Sequence, residues 1–316
     1  MQPEQASAQP EPPRVLLLGA DGQLGWELRR ALLPLGELVA LGRAQADLGD
    51  AQALRGVLQR LRPAVIVNAA AYTAVDRAES EPELARRVNA DAPRVLAEHA
   101  AEHGAWLVHY STDYVFDGNT PRPWRETDVP APRSVYGHTK LLGEQAIRDS
   151  GCAHLILRTS WVFAARGSNF AKTMVRLARE REQLRVVADQ VGAPTGAELI
   201  ADISALALHR LLREPALARG NAGLYHLTSS GSTSWHDYAR HVLRHVAGRG
   251  MQLRCAAGQV QPIATSQYPL PAPRPADSRL DCTALQRWLG VSLPAWQPQV
   301  ERMLDEAYGL QAGDVA

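Results

Sequence analysis

The chain of 316 residues contains only three cysteines, Cys152, Cys255 and Cys282, and has no long apolar run. The cysteines are far apart and lack Cys-x-x-Cys spacing, which argues against a disulfide framework or a structural zinc site and favours a reducing cytosol. The longest uncharged apolar stretch, 63–75, is shorter than the roughly 20 residues that span a bilayer. We therefore expect a cytoplasmic protein whose thiols are buried as small apolar groups.

The sequence also lacks an excess of charge of either sign. Lys and Arg number 34 and Asp and Glu number 33, so no global field draws the chain to nucleic acid or to a membrane, and any phosphate must be bound by a local site. Residues 1–13 have no basic start followed by an apolar segment, and their Pro, Gln and Glu content predicts a disordered tail rather than a signal peptide. Hydrophobic residues at 46% and charged residues at 21% are typical of a globular protein.

Short apolar runs alternate with helical patterns in the first half of the chain. We expect strands at 14–19, 38–41, 64–67, 106–110 and 154–157, and helices at 22–33, 51–61, 82–103 and 136–148. Strands that alternate with helices imply right-handed crossovers. The sequence therefore predicts an α/β protein with a doubly wound parallel sheet that is covered by helices on both faces.

The alternation loosens after about residue 160. We expect helices at 169–182, 198–212, 235–245, 283–289 and 297–308, strands at 184–187 and 224–227, and an ordered proline-rich loop at 262–275. This pattern predicts a smaller C-terminal lobe that residues 166–316 mainly form, with about 198–228 returning to the N-terminal domain.

A glycine loop follows the first predicted strand. Gly19, Gly22 and Gly25 have GxxGxxG spacing, and Gln23 and Leu24 lie between the last two glycines. Backbone without side chains lets a pyrophosphate approach the first N–H groups of the following helix. The same pattern alone also fits a plain strand-to-helix turn. Its position directly after a buried strand predicts a Rossmann-type dinucleotide-binding domain over residues 14–165.

The second predicted strand ends at Leu41, and the next residues are Gly42 and Arg43. The acidic residue that would bind the ribose hydroxyls of NADH is absent there, whereas an arginine can pair with a 2′-phosphate or stack on adenine. We therefore expect NADPH to be used at least as well as NADH; the alternative is that Arg43 is a solvated surface residue. The remaining predicted contacts to the cofactor are Asp47 and Leu48 beside the adenine, and Ala71, Tyr72 and Thr73 on the nicotinamide side.

Tyr136 and Lys140 are spaced to lie on one face of a predicted helix, one turn apart. A phenol with an ordinary pKa near 10 is a poor acid–base group at neutral pH, and a neighbouring ammonium is expected to lower that pKa. The same ammonium can hold the cofactor ribose. The YxxxK spacing alone is equally typical of an exposed helix face.

Hydroxyl groups end the fourth predicted strand of the sheet. Ser111, Thr112 and Asp113 lie at its carboxyl end, where ligands bind in parallel sheets. A hydroxyl there can donate to a ketone oxygen and orient it toward the phenol. The glycine loop, the hydroxyls and the YxxxK pair together predict a reductase in which Tyr136 gives the proton and Thr112 and Ser111 polarise the oxygen.

Beyond these motifs, the chain resembles the bacterial dTDP-4-dehydrorhamnose reductases, a family of the extended short-chain dehydrogenase/reductase superfamily. The resemblance covers about residues 15–304. Its most distinctive segments are GQLGWEL at 22–28, VNAAAYTAVDRAESEPE at 67–83, HYSTDYVFDG at 109–118, VYGHTKLLGE at 135–144, RTSWVF at 158–163, NFAKTM at 169–174, DQVGAPTGAEL at 189–199 and GLYHLTSSG at 223–231.

The resemblance implies reduction of the C4 ketone of dTDP-4-dehydro-L-rhamnose, which completes the dTDP-L-rhamnose synthesis that supplies lipopolysaccharide O-antigen. Thr112, Tyr136 and Lys140 fall on the catalytic positions of the family. The resemblance also places three residues at the substrate: Trp161, Asn169 and Arg274, the last of which could pair with the nucleotide diphosphate. The alternatives are a core tryptophan and an ordinary loop arginine.

Some members of the family hold a magnesium ion between glutamates at a dimer interface. The matching residues here are Glu27, Glu198 and Glu306, and magnesium does prefer a few carboxylates with retained waters. The resemblance thus implies a Mg²⁺ ion and a homodimer, and the alternative is that these glutamates are solvated surface charges.

Two rival functions remain open at this point. A non-catalytic, nucleotide-binding regulatory subunit of the same fold would not need Thr112, Tyr136 and Lys140 together. A nucleotide-sugar epimerase or dehydratase is the second rival, and a dehydratase usually has a carboxylate pair after the hydroxyl. Asp113 is followed by Tyr114 instead, which weakens that alternative.

Overall fold

The computed structural model describes residues 12–214, 220 and 222–310. Most of the tail that the sequence predicts to be disordered, residues 1–11, lies outside these ranges. Within them, no helix is long and apolar enough to cross a membrane.

A six-stranded parallel sheet lies at the centre of the molecule, as the sequence predicts. Its strands are β1 (Arg14–Leu18), β2 (Glu37–Leu41), β3 (Val65–Asn68), β4 (Trp106–Thr112), β5 (Ala153–Thr159) and β10 (Gly223–His226), in the order β10-β5-β4-β3-β1-β2. Their carboxyl ends all point to one edge of the sheet. From β1 the chain adds β2 on one side and β3, β4 and β5 on the other, so the strand order reverses between β1 and β3. Ligands bind at such a reversal in parallel sheets.

Helices cover both faces of the sheet. They are α1 (Gln23–Ala31), α2 (Ala51–Leu61), α3 (Val75–Ala78), α4 (Pro82–Arg86), α5 (Ala92–His103), α6 (Val135–Asp149) and α8 (Ala197–Arg213). Both faces of the sheet are apolar, because successive side chains of β1 point to opposite faces and those from Val15 to Leu18 are all buried. Leu17 packs into a core with residues of α1 and α8, whereas Leu16 and Leu18 pack with residues of α2 and α5. A strand buried on both faces reads as a continuous aliphatic run, as β1 does.

The C-terminal part of the chain forms a separate core. The remaining helices are α7 (Phe170–Glu180), α9 (Trp235–Gly248), α10 (Thr283–Leu289) and α11 (Trp296–Tyr308), and the remaining strands are β6 (Val162–Phe163), β7 (Leu184–Val187), β8 (Val191–Gly192), β9 (Thr195–Gly196), β11 (Thr233–Ser234) and β12 (Val260–Ile263). Apolar residues of α7, α9 and α11 fill this core. The segment predicted to be a proline-rich loop, 262–275, begins with regular structure instead. Its first two residues are the end of β12, which pairs with β7. The division into two domains at residue 165 stays a prediction.

The helix predicted over 82–103 is interrupted. A π-helical turn, Arg87–Asp91, separates α4 from α5. Pro93 has no N–H to donate to the carbonyl of Asn89, which removes one bond of the α-helical ladder. The Asn89 carbonyl instead lies against α6, where a Cβ on Gly143 would be 2.2 Å from the Asn89 oxygen. This close approach fixes the position of α6, the helix that carries Tyr136 and Lys140.

Candidate active site

A cavity of about 570 Å³ lies along the carboxyl ends of β1, β3, β4 and β5. Its volume is in the range of ligand and cofactor sites. The structure brings most of the predicted site residues to it: Gly19, Gly22, Gln23, Leu24, Arg43, Asp47, Leu48, Ala71, Tyr72, Thr73, Ser111, Thr112, Asp113, Tyr136, Lys140 and Trp161 line the cavity. Gly25, Asn169 and Arg274 do not.

Two glycines of the loop are required by close packing. Gly19 has φ +77°, and a Cβ there would lie 2.7 Å from the backbone nitrogen of Ala70 at the end of β3. A Cβ on Gly25 would lie 2.0 Å from the Gly19 oxygen, so Gly25 seats α1 on the loop rather than lining the cavity. Gly22 begins α1 without a side-chain cap. The first turn of α1 therefore presents backbone N–H groups to the cavity, as a pyrophosphate requires.

Arg43 lies at the far end of the groove with an 80% exposed side chain, and its Nε is 3.5 Å from Asp47 Oδ2. Such an exposed pair is weak, so the guanidinium is available to a ligand. The sequence interpretation missed Asp21, which also lines the cavity. Its position within the glycine loop was the available signal.

Tyr136 lies at the start of α6, whose N-cap Ser134 accepts a hydrogen bond from the Gly137 N–H (3.1 Å). Its ring is nearly buried and meets the Tyr114 ring edge-on, with centroids 5.5 Å apart. Burial raises the pKa of the Tyr136 phenol to about 12, and the neighbouring Thr112 hydroxyl offsets part of that rise. The phenol is therefore protonated at neutral pH and is positioned as a proton donor.

The expectation that Lys140 lowers the pKa of this phenol is wrong. The Lys140 ammonium donates to the carbonyl oxygen of Tyr110 (2.6 Å) and lies 3.3 Å from His109 Nε2. It thus faces β4, and it is not among the groups that shift the pKa of Tyr136. Burial lowers the pKa of Lys140 itself to about 8.

A line of buried polar groups supports Lys140 from behind. Asn68 accepts from the Ala70 N–H (3.2 Å), which directs its amide nitrogen to His109 Nδ1 at 3.1 Å. Burial and the Lys140 charge hold the pKa of His109 well below its ordinary value. His109 is therefore neutral, and its one unprotonated ring nitrogen can accept from either the Asn68 amide or the Lys140 ammonium. Both residues lie in segments that carry the resemblance, but sequence reasoning gave neither of them a role in supporting Lys140.

The hydroxyls at the end of β4 have different partners. Thr112 donates to Asp113 Oδ1 (3.0 Å) and accepts from the Tyr114 N–H (3.2 Å), which caps a 3₁₀ turn, Asp113–Val115. Ser111 Oγ and Thr159 Oγ1 are buried and have no hydrogen-bond partner among the described residues. Because a buried hydroxyl without a partner is costly, these two groups are open to a ligand. Burial raises the pKa of Asp113 to about 6.

Trp161 lines the cavity and also packs in the C-terminal core. Its ring stacks on Trp235, with centroids 3.5 Å apart, and its backbone has φ +48°. A Cβ on Gly192 would lie 2.5 Å from the Trp161 ring. The ring is therefore held rigidly at the wall of the cavity, which fits both interpretations of this residue.

Asn169 and Arg274 are engaged elsewhere. Asn169 caps α7 by accepting from the Lys172 N–H (3.1 Å), and it donates to the Ala164 oxygen (2.7 Å). Arg274 forms two hydrogen bonds with the Asp76 carboxylate, at 2.8 and 2.7 Å. This ion pair lowers the pKa of Asp76. The roles predicted for Asn169 and Arg274 in substrate binding stay predictions.

A second cavity, of about 530 Å³, contains Arg274 and a residue that the sequence did not single out. It is lined by Asp117, Gly118, Asn119, Arg133, Arg274 and Ala276. Arg133 is exposed and has no ion pair within the described parts of the chain. It therefore provides an uncommitted positive charge in this cavity.

The three glutamates predicted to bind magnesium lie near one another. Burial and the charges of Glu198 and Glu306 raise the pKa of Glu27. However, Glu198 is paired with Arg302 at 2.6 Å, and residues 12–214, 220 and 222–310 contain no group of His, Cys, Asp and Glu placed to hold a metal ion. The expected magnesium site is not supported.

Known proteins share this arrangement over nearly the whole chain. The family model of the RmlD substrate binding domain matches residues 13–308. The chain is 51% identical over 298 residues to the dTDP-4-dehydrorhamnose reductase of Salmonella typhimurium, covering 93% of this chain and 98% of that protein.

Two solved structures are similar as well. The crystal structure of the dTDP-4-dehydrorhamnose reductase of Bacillus anthracis in complex with NADP is 34% identical, has a TM-score of 0.81, and the match covers 93% of this chain and 99% of the other. The crystal structure of a dTDP-4-dehydrorhamnose reductase of Clostridium acetobutylicum is also 34% identical and has a TM-score of 0.83. The match covers 92% of this chain and 98% of the other.

Proposed function

The chain belongs to the RmlD family of dTDP-4-dehydrorhamnose reductases, and we propose that it reduces the C4 ketone of dTDP-4-dehydro-L-rhamnose to dTDP-L-rhamnose. One observation carries the proposal: a protonated, buried Tyr136 shares a cavity with a glycine loop, with Lys140 and with the Ser111 and Thr112 hydroxyls. A non-catalytic subunit of the same fold would have no use for this combination, so that alternative is not favoured.

A nicotinamide dinucleotide fits the residues of the larger cavity. The open first turn of α1 at Gly22 suits the pyrophosphate, and Arg43 suits the adenosine end. The unpartnered Ser111 and Thr159 hydroxyls mark the opposite end, near Tyr136. When bound there, the reduced nicotinamide supplies the hydride.

Tyr136 supplies the proton. The carbonyl carbon of the substrate gains a hydride, its oxygen becomes an alkoxide, and the Tyr136 O–H transfers its proton to that oxygen. The Ser111 hydroxyl, which has no hydrogen-bond partner in the part of the chain that the structure describes, donates a hydrogen bond to the same oxygen and stabilises its developing charge. Lys140 also lines the cavity and is fixed by the Tyr110 carbonyl, so its ammonium would hold the ribose of the bound cofactor rather than act on the phenol.

Two features support the binding of the substrate. The rigid Trp161 ring offers a flat apolar wall to the sugar. Arg133, together with the Asp76-bound Arg274, provides positive charge for the diphosphate. Arg133 carries most of this role in our proposal, because the charge of Arg274 is already balanced by Asp76.

The remaining properties follow from the family or from composition alone. We propose a cytoplasmic homodimer that serves O-antigen biosynthesis, and the three free, buried cysteines fit a reducing compartment. Magnesium is not part of the proposal.

The test is an assay of the purified protein with dTDP-4-dehydrorhamnose and either NADPH or NADH, each with and without a chelator. We expect oxidation of the nicotinamide in stoichiometric amounts with dTDP-L-rhamnose, identified by NMR, and no effect of the chelator. A sugar product with unchanged oxidation level and a cofactor that stays bound would instead indicate an epimerase. No consumption of either cofactor would overturn the proposal.

A further inference from the structure

The adenosine end of the groove contains a carboxylate that does not come from the usual position. In dinucleotide sites the acidic residue that binds the ribose hydroxyls follows the second strand, and here Gly42 occupies that place. Asp21, from the glycine loop, fills the space that a side chain at 42 would take. A Cβ on Gly42 would lie 1.9 Å from Asp21 Oδ2 and 2.8 Å from its Cγ.

The backbone fastens the loop to the end of β2, so this juxtaposition is built into the fold. The Ala20 N–H donates to the Leu41 oxygen (3.1 Å), and the Gly22 N–H donates to the Gly19 oxygen (3.0 Å). On the other side, the Gly42 N–H is held by Gln45 Oε1 at 3.0 Å. Asp21 thus lies between two anchored turns.

The Asp21 carboxylate is also uncommitted. It lines the cavity together with Arg43 and Asp47, and it has no hydrogen bond or ion pair within the described residues. The Arg43 guanidinium is held only at 3.5 Å by Asp47. The adenosine end therefore offers a free acceptor for hydroxyls and a free cation for a phosphate within one small region.

We propose that Asp21 is a specificity-determining residue for the cofactor. From the glycine loop, it supplies the carboxylate that position 42 at the end of β2 lacks. This inference rests on the proposed binding of a nicotinamide dinucleotide. Asp21 accepts hydrogen bonds from the ribose hydroxyls of NADH, and its charge opposes the 2′-phosphate that Arg43 attracts. The two residues act in opposite directions, which keeps both cofactors usable.

The test is direct binding of NADPH and NADH to the purified full chain by titration calorimetry, without substrate. In Asp21→Asn, NADPH should bind more tightly because a repulsive charge is gone, and NADH more weakly because an anionic acceptor is gone. We expect the ratio of the NADH Kd to the NADPH Kd to rise about tenfold at low salt, and the change to shrink as salt is added. Arg43→Ala should lower the same ratio.

Two further variants sharpen the result. Gly42→Ala keeps both charges but pushes the Asp21 carboxylate aside, so it should raise the ratio in the same direction by a smaller factor. Asp149→Asn removes an exposed carboxylate at the far end of α6 and serves as the matched control, with an unchanged ratio.

An unchanged ratio in Asp21→Asn, or an equal loss for both cofactors, would overturn the assignment of Asp21 and leave the proposed function intact. Failure of the wild-type protein to bind either dinucleotide would overturn both.

Discussion

Lys140 should make the stability of the fold depend on pH in a direction opposite to that of a lysine whose pKa is raised by an ion pair. Burial lowers the pKa of its ammonium from an ordinary 10.5 to about 8 in the folded protein. Between these two values the unfolded chain binds more protons than the folded chain, so the free energy of unfolding rises as pH rises. The buried charge of Lys140 therefore lowers the free energy of unfolding by its full amount below pH 8, and this penalty disappears above pH 10.5.

The magnitude follows from the same two values. A difference of one pH unit between folded and unfolded pKa corresponds to about 1.4 kcal/mol, so the full penalty is about 3 kcal/mol. Between about pH 7.5 and 9.5, the wild type should gain about 2 kcal/mol in the free energy of unfolding relative to Lys140→Met, which has no group to titrate there. Other titrating groups, such as the Tyr136 phenol, are present in both proteins and cancel in the difference.

The measurement is urea denaturation of both proteins at several pH values in this window, followed by circular dichroism. Lys172→Met is the matched control, because the Lys172 ammonium also donates to backbone carbonyls but is only partly buried. The difference between wild type and this control should not change with pH. Parallel profiles for wild type and Lys140→Met would refute the claim that burial lowers the pKa of Lys140.

Three other substitutions test the site and its support. Tyr136→Phe should reduce kcat by a factor of about 10² to 10⁴ while the NADPH Kd stays nearly unchanged, because only the proton donor is lost; turnover that persists would exclude Tyr136 as the acid. Arg133→Ala should raise the KM for the dTDP-sugar by about tenfold with little change in kcat, and an unaltered KM would remove Arg133 from substrate binding. The Glu144 carboxylate is fully buried and lies 2.6 Å from the Arg158 guanidinium, so Arg158→Leu leaves it without this partner. Urea unfolding should show a loss of about 3–5 kcal/mol in the free energy of unfolding. A loss below about 1 kcal/mol would contradict the buried ion pair.

The fold could be predicted from the sequence because its signals are local. The aliphatic run of β1 is buried on both faces, and the helices predicted at 51–61 and 283–289 have the same bounds in the structure. The break within 82–103 could not be predicted from periodicity, since it depends on Pro93 and on the packing of Asn89 against α6.

The site was predictable where a motif marks a residue and unpredictable where a contact crosses between elements. The glycine loop and the YxxxK pair can be recognised from their spacing in the sequence. His109 and Arg133 become notable only when the fold brings the one against Lys140 and the other into a cavity beside Arg274. Asp21 is a similar case. The sequence shows only that position 42 lacks an acid, and the structure adds that the Asp21 carboxylate lies in the space that a side chain at 42 would occupy.

Burial disfavours the charged form of both central groups, the Tyr136 phenol and the Lys140 ammonium. It keeps the Tyr136 phenol protonated, with a pKa of about 12, and it leaves Lys140 charged at neutral pH but poorly solvated. Before the reaction, the ammonium lies against the Tyr110 carbonyl and the neutral His109, and the Glu144 carboxylate also attracts it. These partners hold the ammonium against β4, and it does not shift the pKa of Tyr136. In the proposed reaction the charge that develops on the substrate oxygen is therefore stabilised by the Ser111 hydroxyl, which has no hydrogen-bond partner among the described residues, until the buried phenol gives that oxygen its proton.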